Sequence, residues 1–396
     1  MKKTEMNDLT CGGHERGFTL LEMMVAIAVF LVVGGAALAL YSYQQPVFIR
    51  QQNLSAVNIA VRNAVSQLQL EVVNAGNGYY TGANVPDWPI GVTIANSVPT
   101  VACNTPATYT YSAACFDQLN IIATDPNTQP SHPDNGTFSG LTTDCVSTTS
   151  SPMTLLLPGN TTVAAATAYA SNFPSGSELL LVNNANSSIT TVKLTSAGTV
   201  YTSGATSGVR FAFAVTNADG TNSAANDVLR ISTNAAISAT SSTPKLQTQF
   251  CSGDWALKLD PVVFAVDTST ASDPELIRCQ GVSLINNCSV ANGAAVLAEQ
   301  VIGFKVGAAV WNCLPTVSGT DTSGYSYNVT NACNATPWGY ASQFWLIRSV
   351  QISLIARTTP AIDPTYTYRN GFDGGPYQIE SVSVVVNPRN MSMSNQ

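Results

Sequence analysis

Two sets of residues in this chain can take part in chemistry. The first is a Gly17–Phe18 junction followed by a lone carboxylate, Glu22. Residues 1–17, MKKTEMNDLTCGGHERG, are short and mostly polar, with Lys2, Lys3 and Arg16. From Phe18 to Tyr43 the only charge is Glu22. A conventional secretory signal runs from a basic region through an apolar region of about 7–15 residues to a small-residue cut. Here the order is inverted and the apolar segment is longer. The expected cut therefore precedes the apolar segment, between Gly17 and Phe18, and the chemistry is hydrolysis performed on this chain. The competing reading is an uncleaved signal anchor. A carboxylate placed in lipid is costly unless paired, so Glu22 calls for a cationic partner and reads as an assembly residue, not a catalytic one.

The second set is the cysteines: Cys11, Cys103, Cys115, Cys145, Cys251, Cys279, Cys288, Cys313 and Cys333. Cys11 leaves with the leader. The other eight lie outside the cytoplasm if the apolar segment is an anchor, and an even set in an oxidising compartment suggests disulfides. Close spacing favours Cys103–Cys115, Cys279–Cys288 and Cys313–Cys333, leaving Cys145–Cys251. That is one choice among on the order of a hundred connectivities. Zinc is a poor reading, because no CxxC occurs and His132 is the only histidine after residue 17. Other catalytic patterns are absent. His132 sits in Pro-Ser-His-Pro-Asp-Asn-Gly and reads as a loop residue, and there is no GxSxG, Walker or HExxH motif. Asp-Asn-Gly at 134–136 and Asp-Gly-Gly at 373–375 can touch a calcium ion but read as plain turns. Asn160, Asn186 and Asn328 head Asn-x-Ser/Thr triplets of the kind a Ser/Thr/Asn-rich chain carries by chance. No enzyme activity and no cofactor or metal are expected.

Composition supports this. Only 10% of the 396 residues are charged, against about a quarter ordinarily. Ser, Thr, Asn, Gln and Gly must cover the surface, which suits exposure outside the cell better than a cytosolic enzyme. The net charge is −7, and the leader's three basic and three acidic residues leave it unchanged on removal. No Lys/Arg cluster follows residue 17, so the basic footprint of direct nucleic-acid binding is missing.

The elements that position these residues begin with one long helix. Residues 18–43 are a transmembrane or filament-core helix. Residues 44–76 continue it as an amphipathic helix, with Leu54, Val57, Val61, Ala64, Val65, Leu68 and Val72 on one face and Gly76 and Gly78 at its end. Gly34, Gly35 and Pro46 are places where it can bend. Residues 77–250 form a Ser/Thr/Asn-rich region of short strands in long loops, read as an inserted lobe. Its apolar runs are 153–157, 178–182, 191–194, 209–215 and 227–232. Residues 251–396 carry longer strands at 255–266, 301–311, 343–356 and 377–386, the last with a slip near Ser381 that suggests a bulge. Four such strands make one antiparallel sheet, with the helix covering its apolar face and disulfides stapling its loops. The fold class is α+β.

RGFTLLEMMVAIAVF closely resembles the type IV prepilin signature. The resemblance implies that Gly17 is the last leader residue, that Phe18 becomes an N-methylated N-terminus, and that Glu22 faces the free amine of a neighbouring subunit's first residue. It also implies a type IV pilin-like fold. Many resembling pilins place a proline within the apolar segment, where this chain has Ala39. VRNAVSQLQLEVVNAG resembles the helix end of PilW-type minor pilins through Arg62, Leu68, Glu71, Ala75 and Gly76, with Tyr79 arriving late. DVLRIS at 227–232, SVQISLIARTTP at 349–360 and SVSVVVNPRN at 381–390 resemble further strands of that group.

The implied function is that of a minor pilin in type IV pilus assembly or initiation, with possible tip display. The implied partners are a prepilin peptidase/methyltransferase, other minor pilins, the major pilin, the inner-membrane assembly platform and a tip adhesin. The implied location is the inner membrane, single-pass, with the soluble part in the periplasm and then on the fibre. The alternatives are a minor pseudopilin of a type II secretion system and a filament-borne adhesion module.

Overall fold

A computed structural model describes residues 18–78, 91–95, 97, 103–105, 108–139, 144–146, 152–159, 162–184, 188–215, 249–280, 288–310, 347–360 and 367–389. Gly17, Tyr79, the 227–232 strand, Cys313, Cys333, Asn160, Asn186 and Asn328 lie outside the described residues.

Helix α1 runs without interruption from Leu20 to Val73, 54 residues, through Gly34, Gly35 and Pro46. At 1.5 Å per residue it is about 80 Å long. Pro46 costs the helix one amide donor, and Ser42 Oγ donates to Leu38 O at 2.7 Å one turn before it. The chain divides into two compact units, Met1–Asn53 and Leu54–Gln396. In the second unit the three- and four-residue spacing of apolar positions does what periodicity predicts. Val61, Ala64, Val65, Leu68 and Val72 are buried, and Leu54 and Val57 are half-buried. The helix ends before Gly76 and Gly78, whose φ angles of 75° and 86° suit a residue without Cβ. Gly76 N then donates to Ile122 O at 2.8 Å, handing the chain to a sheet.

The sheets among the described residues are antiparallel throughout. One has the order Val92–Ala95, Gln118–Ile121, Val262–Asp267, Glu275–Gln280, Ala295–Ala298. A second has the order Val301–Val310, Ile347–Arg357, Ile379–Val386. Their apolar faces share one core with the helix, including Leu119, Phe264, Ile277, Phe304 and Ile352. A separate core, with Leu155, Phe173, Leu181, Phe211 and Phe250, lies among two four-stranded sheets and helix α2, Val163–Ala170.

The single four-stranded C-terminal sheet expected from sequence is corrected: among the described residues it has three strands. The 255–266 run is not one strand. Trp255–Lys258 pairs with Glu178–Asn183, whereas Val262–Asp267 pairs with Gln118–Ile121 and Glu275–Gln280. The crossing falls at Leu259-Asp260-Pro261, where Leu259 N bonds Glu178 O and Asp260 N bonds Ala123 O, both at 2.9 Å. Pro261 lacks the donor needed to continue a ladder. The 209–215 run likewise breaks at Ala212 and serves two sheets. Strands from 77–250 and from 251–396 thus share sheets.

The bulge near Ser381 is also absent. The register from Arg357↔Ile379 to Val350↔Val386 is unbroken. The apparent slip is Glu380, which has the same parity as Val382, Val384 and Val386 and so lies on the same face. Asn58 Nδ2 of the helix donates to its carboxylate at 2.8 Å, so a polar residue on the face that meets the helix is satisfied.

Candidate assembly and anchoring sites

The N-terminal unit presents an apolar rod. Phe18 is 88% exposed, and Leu20, Leu21, Met23, Met24, Phe30 and Leu31 are all exposed. By length and composition this helix can cross a membrane. Apolar surface on this scale requires lipid or other apolar helices around it.

Glu22 sits at the start of this rod. Its Oε2 accepts from Thr19 N and from Thr19 Oγ1, each at 3.0 Å, and Glu22 N donates back to Thr19 Oγ1 at 3.3 Å. This is a capping box, with Thr19 as N-cap and Glu22 three residues on. The box satisfies amides that the first helical turn otherwise leaves open. The signal for the box is local, Thr-Leu-Leu-Glu before an apolar run, and it gives Glu22 a partner within its own turn as well as a charge.

In the second unit the helix is tied down by Glu71. Arg278 donates to Glu71 Oε1 from Nη2 at 2.6 Å and from Nε at 3.1 Å. Glu71 belongs to the helix-end motif quoted above, and its partner comes from 207 residues away, on the Glu275–Gln280 strand.

Arg357 ends the central strand of the three-stranded sheet and is 1% exposed. Its Nε donates to Gln300 Oε1 at 2.7 Å, Nη1 to Tyr109 O at 3.1 Å and Nη2 to Ser272 O at 2.6 Å. The guanidinium also lies 4.8 Å from the Tyr377 ring centroid and 5.4 Å from that of Tyr111. Both tyrosine hydroxyls donate to Asp373 Oδ2. Asn370 Nδ2 and Gly375 N donate to Oδ1 at 2.8 and 3.0 Å. Asp-Gly-Gly at 373–375 is thus a turn whose carboxylate is fully engaged inside the protein, with Gly374 at φ 74°.

Burial would raise the Asp373 carboxyl, but bonds from Tyr111, Tyr377, Asn370 and Gly375 outweigh it and hold it at about 2, below the ordinary 3.8. Burial, then the bonds to Asp373, push Tyr111 and Tyr377 up. A depressed carboxyl contributes stability that is present above its unfolded value and lost as pH falls through the folded one. Thermal unfolding should therefore show a loss of stability from about pH 4 to about pH 2. Asp373→Asn should remove part of that slope and lower stability at neutral pH.

The cysteines are brought together as Cys103–Cys115, Cys145–Cys251 and Cys279–Cys288. His132 is not in a loop. It lies in the strand His132–Asp134, its Nδ1 is 2.7 Å from Asp254 O, and its ring packs 4.2 Å from that of Trp255. The turn residues begin only after Asp134, because Pro133 tolerates the extended backbone of an edge strand.

Residues 13–38 match the family model of the prokaryotic N-terminal methylation motif. Comparison with curated proteins gives no match. Among solved structures the chain is similar to a type IV-like pilin from Thermus thermophilus, at 10% identity over 58% of this chain and 95% of that one, with a TM-score of 0.16.

Proposed function

We propose that this chain is a minor pilin that takes part in assembling, and priming the growth of, a type IV pilus. The observation that carries the reading is the methylation motif at 13–38, leading into a helix whose apolar side chains are exposed from Phe18 to Ile49. In this reading a prepilin peptidase/methyltransferase cuts after Gly17 and methylates Phe18. The helix waits in the inner membrane with the head in the periplasm, and it then moves from lipid into a bundle of like helices.

The head favours a minor over a major role. Its second core and extra sheets make a bulky subunit that is hard to repeat along a tight helical filament. Other minor pilins, the major pilin, the assembly platform and a tip adhesin are the partners in this reading. Deleting the gene should reduce surface piliation while major pilin is still made. Unchanged pilus number and twitching would reject the reading, and a secretion defect with normal pili would point to a type II pseudopilus.

A further inference from the structure

Two carboxylates lie beneath the surface near the end of the His132–Asp134 strand. Asp134 is 0% exposed and Asp144 5%. Asp134 Oδ1 accepts from Gly136 N at 2.5 Å and Phe138 N at 3.3 Å, but its Oδ2 is buried and has no hydrogen-bond partner. An anionic oxygen in that position is costly unless a proton or a cation meets it. Asp144 accepts from Thr137 Oγ1 at 2.7 Å and from Ser139 Oγ at 2.5 Å. Thr137 Oγ1 also reaches Asn135 Oδ1 at 2.8 Å. Asp134, Asn135, Thr137, Ser139 and Asp144 therefore bring together carboxylate, amide and hydroxyl oxygens.

The charge nearby of opposite sign is Arg210. Its side chain reaches Gly136, where an added Cβ would collide with its Nη2. It is engaged elsewhere, with its guanidinium 3.1 Å from the Tyr201 ring centroid and Nε donating to Thr154 Oγ1 at 3.2 Å. It forms no ion pair with Asp134.

We propose that Asp134 and Asp144 hold a calcium ion, with Asp134 Oδ2 as its most buried ligand and Thr137, Ser139 and water completing the shell. The donors are all hard oxygens, which excludes a zinc preference. No group of three or more His, Cys, Asp or Glu comes together among the described residues. Two carboxylates with neutral oxygens suit the weak class of extracellular calcium modules, with dissociation constants of about 10⁻⁴–10⁻³ M. Magnesium, which demands a small regular octahedron and keeps its water, fits less well.

The test uses the full-length protein in detergent, with equilibrium dialysis against radioactive calcium and thermal unfolding in calcium, magnesium or chelator. The expected result is about one ion bound per chain in millimolar calcium. Calcium at about ten times its dissociation constant should raise Tm by roughly 2–4 °C, and magnesium should raise it less. Asp134→Asn is near-isosteric and relieves like-charge repulsion, so it should fold and bind about tenfold more weakly or worse. Asp144→Asn should weaken binding too. Arg210→Gln should tighten it by removing a nearby positive charge. Absence of bound calcium at about 10 mM in the wild type would overturn the proposal, as would unchanged binding in Asp134→Asn. A destabilised Arg210→Gln protein whose wild type ignores calcium would also overturn it, marking Asp134 as the arginine's counter-ion instead.

Discussion

Replacing Gly17 with valine should leave residues 1–17 attached to the protein, and mass spectrometry of the membrane-bound product should read the intact leader in place of a methylated Phe18. In the proposed reading a side chain at the last leader position obstructs the peptidase, and the retained segment would keep a hydrophilic, charged tail at the N-terminal end of the helix. Filament incorporation should fall below detection.

In the proposed reading, variants at Glu22 separate cleavage from assembly, and the capping box supplies a control. Glu22→Val removes both the charge and the bonds to Thr19. Glu22→Gln removes the charge but keeps a group able to close the capping box. Both variants should insert into the membrane as well as wild type or better, and both should be processed, because the carboxylate lies beyond the cut. If the carboxylate's task is to meet a neighbour's terminal amine, both should fail to assemble. If its task is only to start the helix, Glu22→Gln should assemble and Glu22→Val should not. Wild-type protein that keeps residues 1–17 in the membrane would reject the processing scheme altogether.

Loss of the Cys145–Cys251 bridge should be the most destabilising deletion among the three bridges of the described residues. These cysteines are direct cross-strand partners in the small sheet Cys145–Val146 and Phe250–Cys251, 106 residues apart in sequence. Closing a loop of that length restricts the unfolded chain by about 4.7 kcal/mol in the chain-entropy account, and native bridges are commonly worth about 2–5 kcal/mol. Cys103–Cys115 and Cys279–Cys288 close separations of only 12 and 9 residues, for which the same account gives about 3 kcal/mol or less. Urea unfolding of the three double-alanine variants under oxidising conditions should rank Cys145→Ala/Cys251→Ala lowest. Equal losses from all three would mean that local packing, not loop closure, sets the contribution of these bridges.

What the sequence determined by itself is local. An apolar run with one charge makes a helix that must be covered, and the Gly17–Phe18–Glu22 pattern is read within a few residues. The buried face of the second helical half follows from three- and four-residue spacing, and its end follows from glycines that tolerate positive φ. Thr19–Glu22 belongs to this class as well, since a capping box spans one turn.

Tertiary structure decided everything that depends on partners far along the chain. Periodicity marked 255–266 as strand but could not say that its halves serve different sheets, because pairing is settled by competition among edges distant in sequence. Glu380 breaks the apolar alternation because its partner is Asn58 of the helix, and Glu71 and Arg278 carry no mutual sign across 207 residues. Asp373 and Asp134 show the same limit most clearly. Asp373 stands in a turn and Asp134 ends a strand that leads into a turn of similar composition, yet one carboxylate is met by Tyr111 and Tyr377 while the other keeps a buried oxygen without a hydrogen-bond partner. The difference lies in which side chains folding brings to each turn, and that is a property of the assembled core, not of the turn.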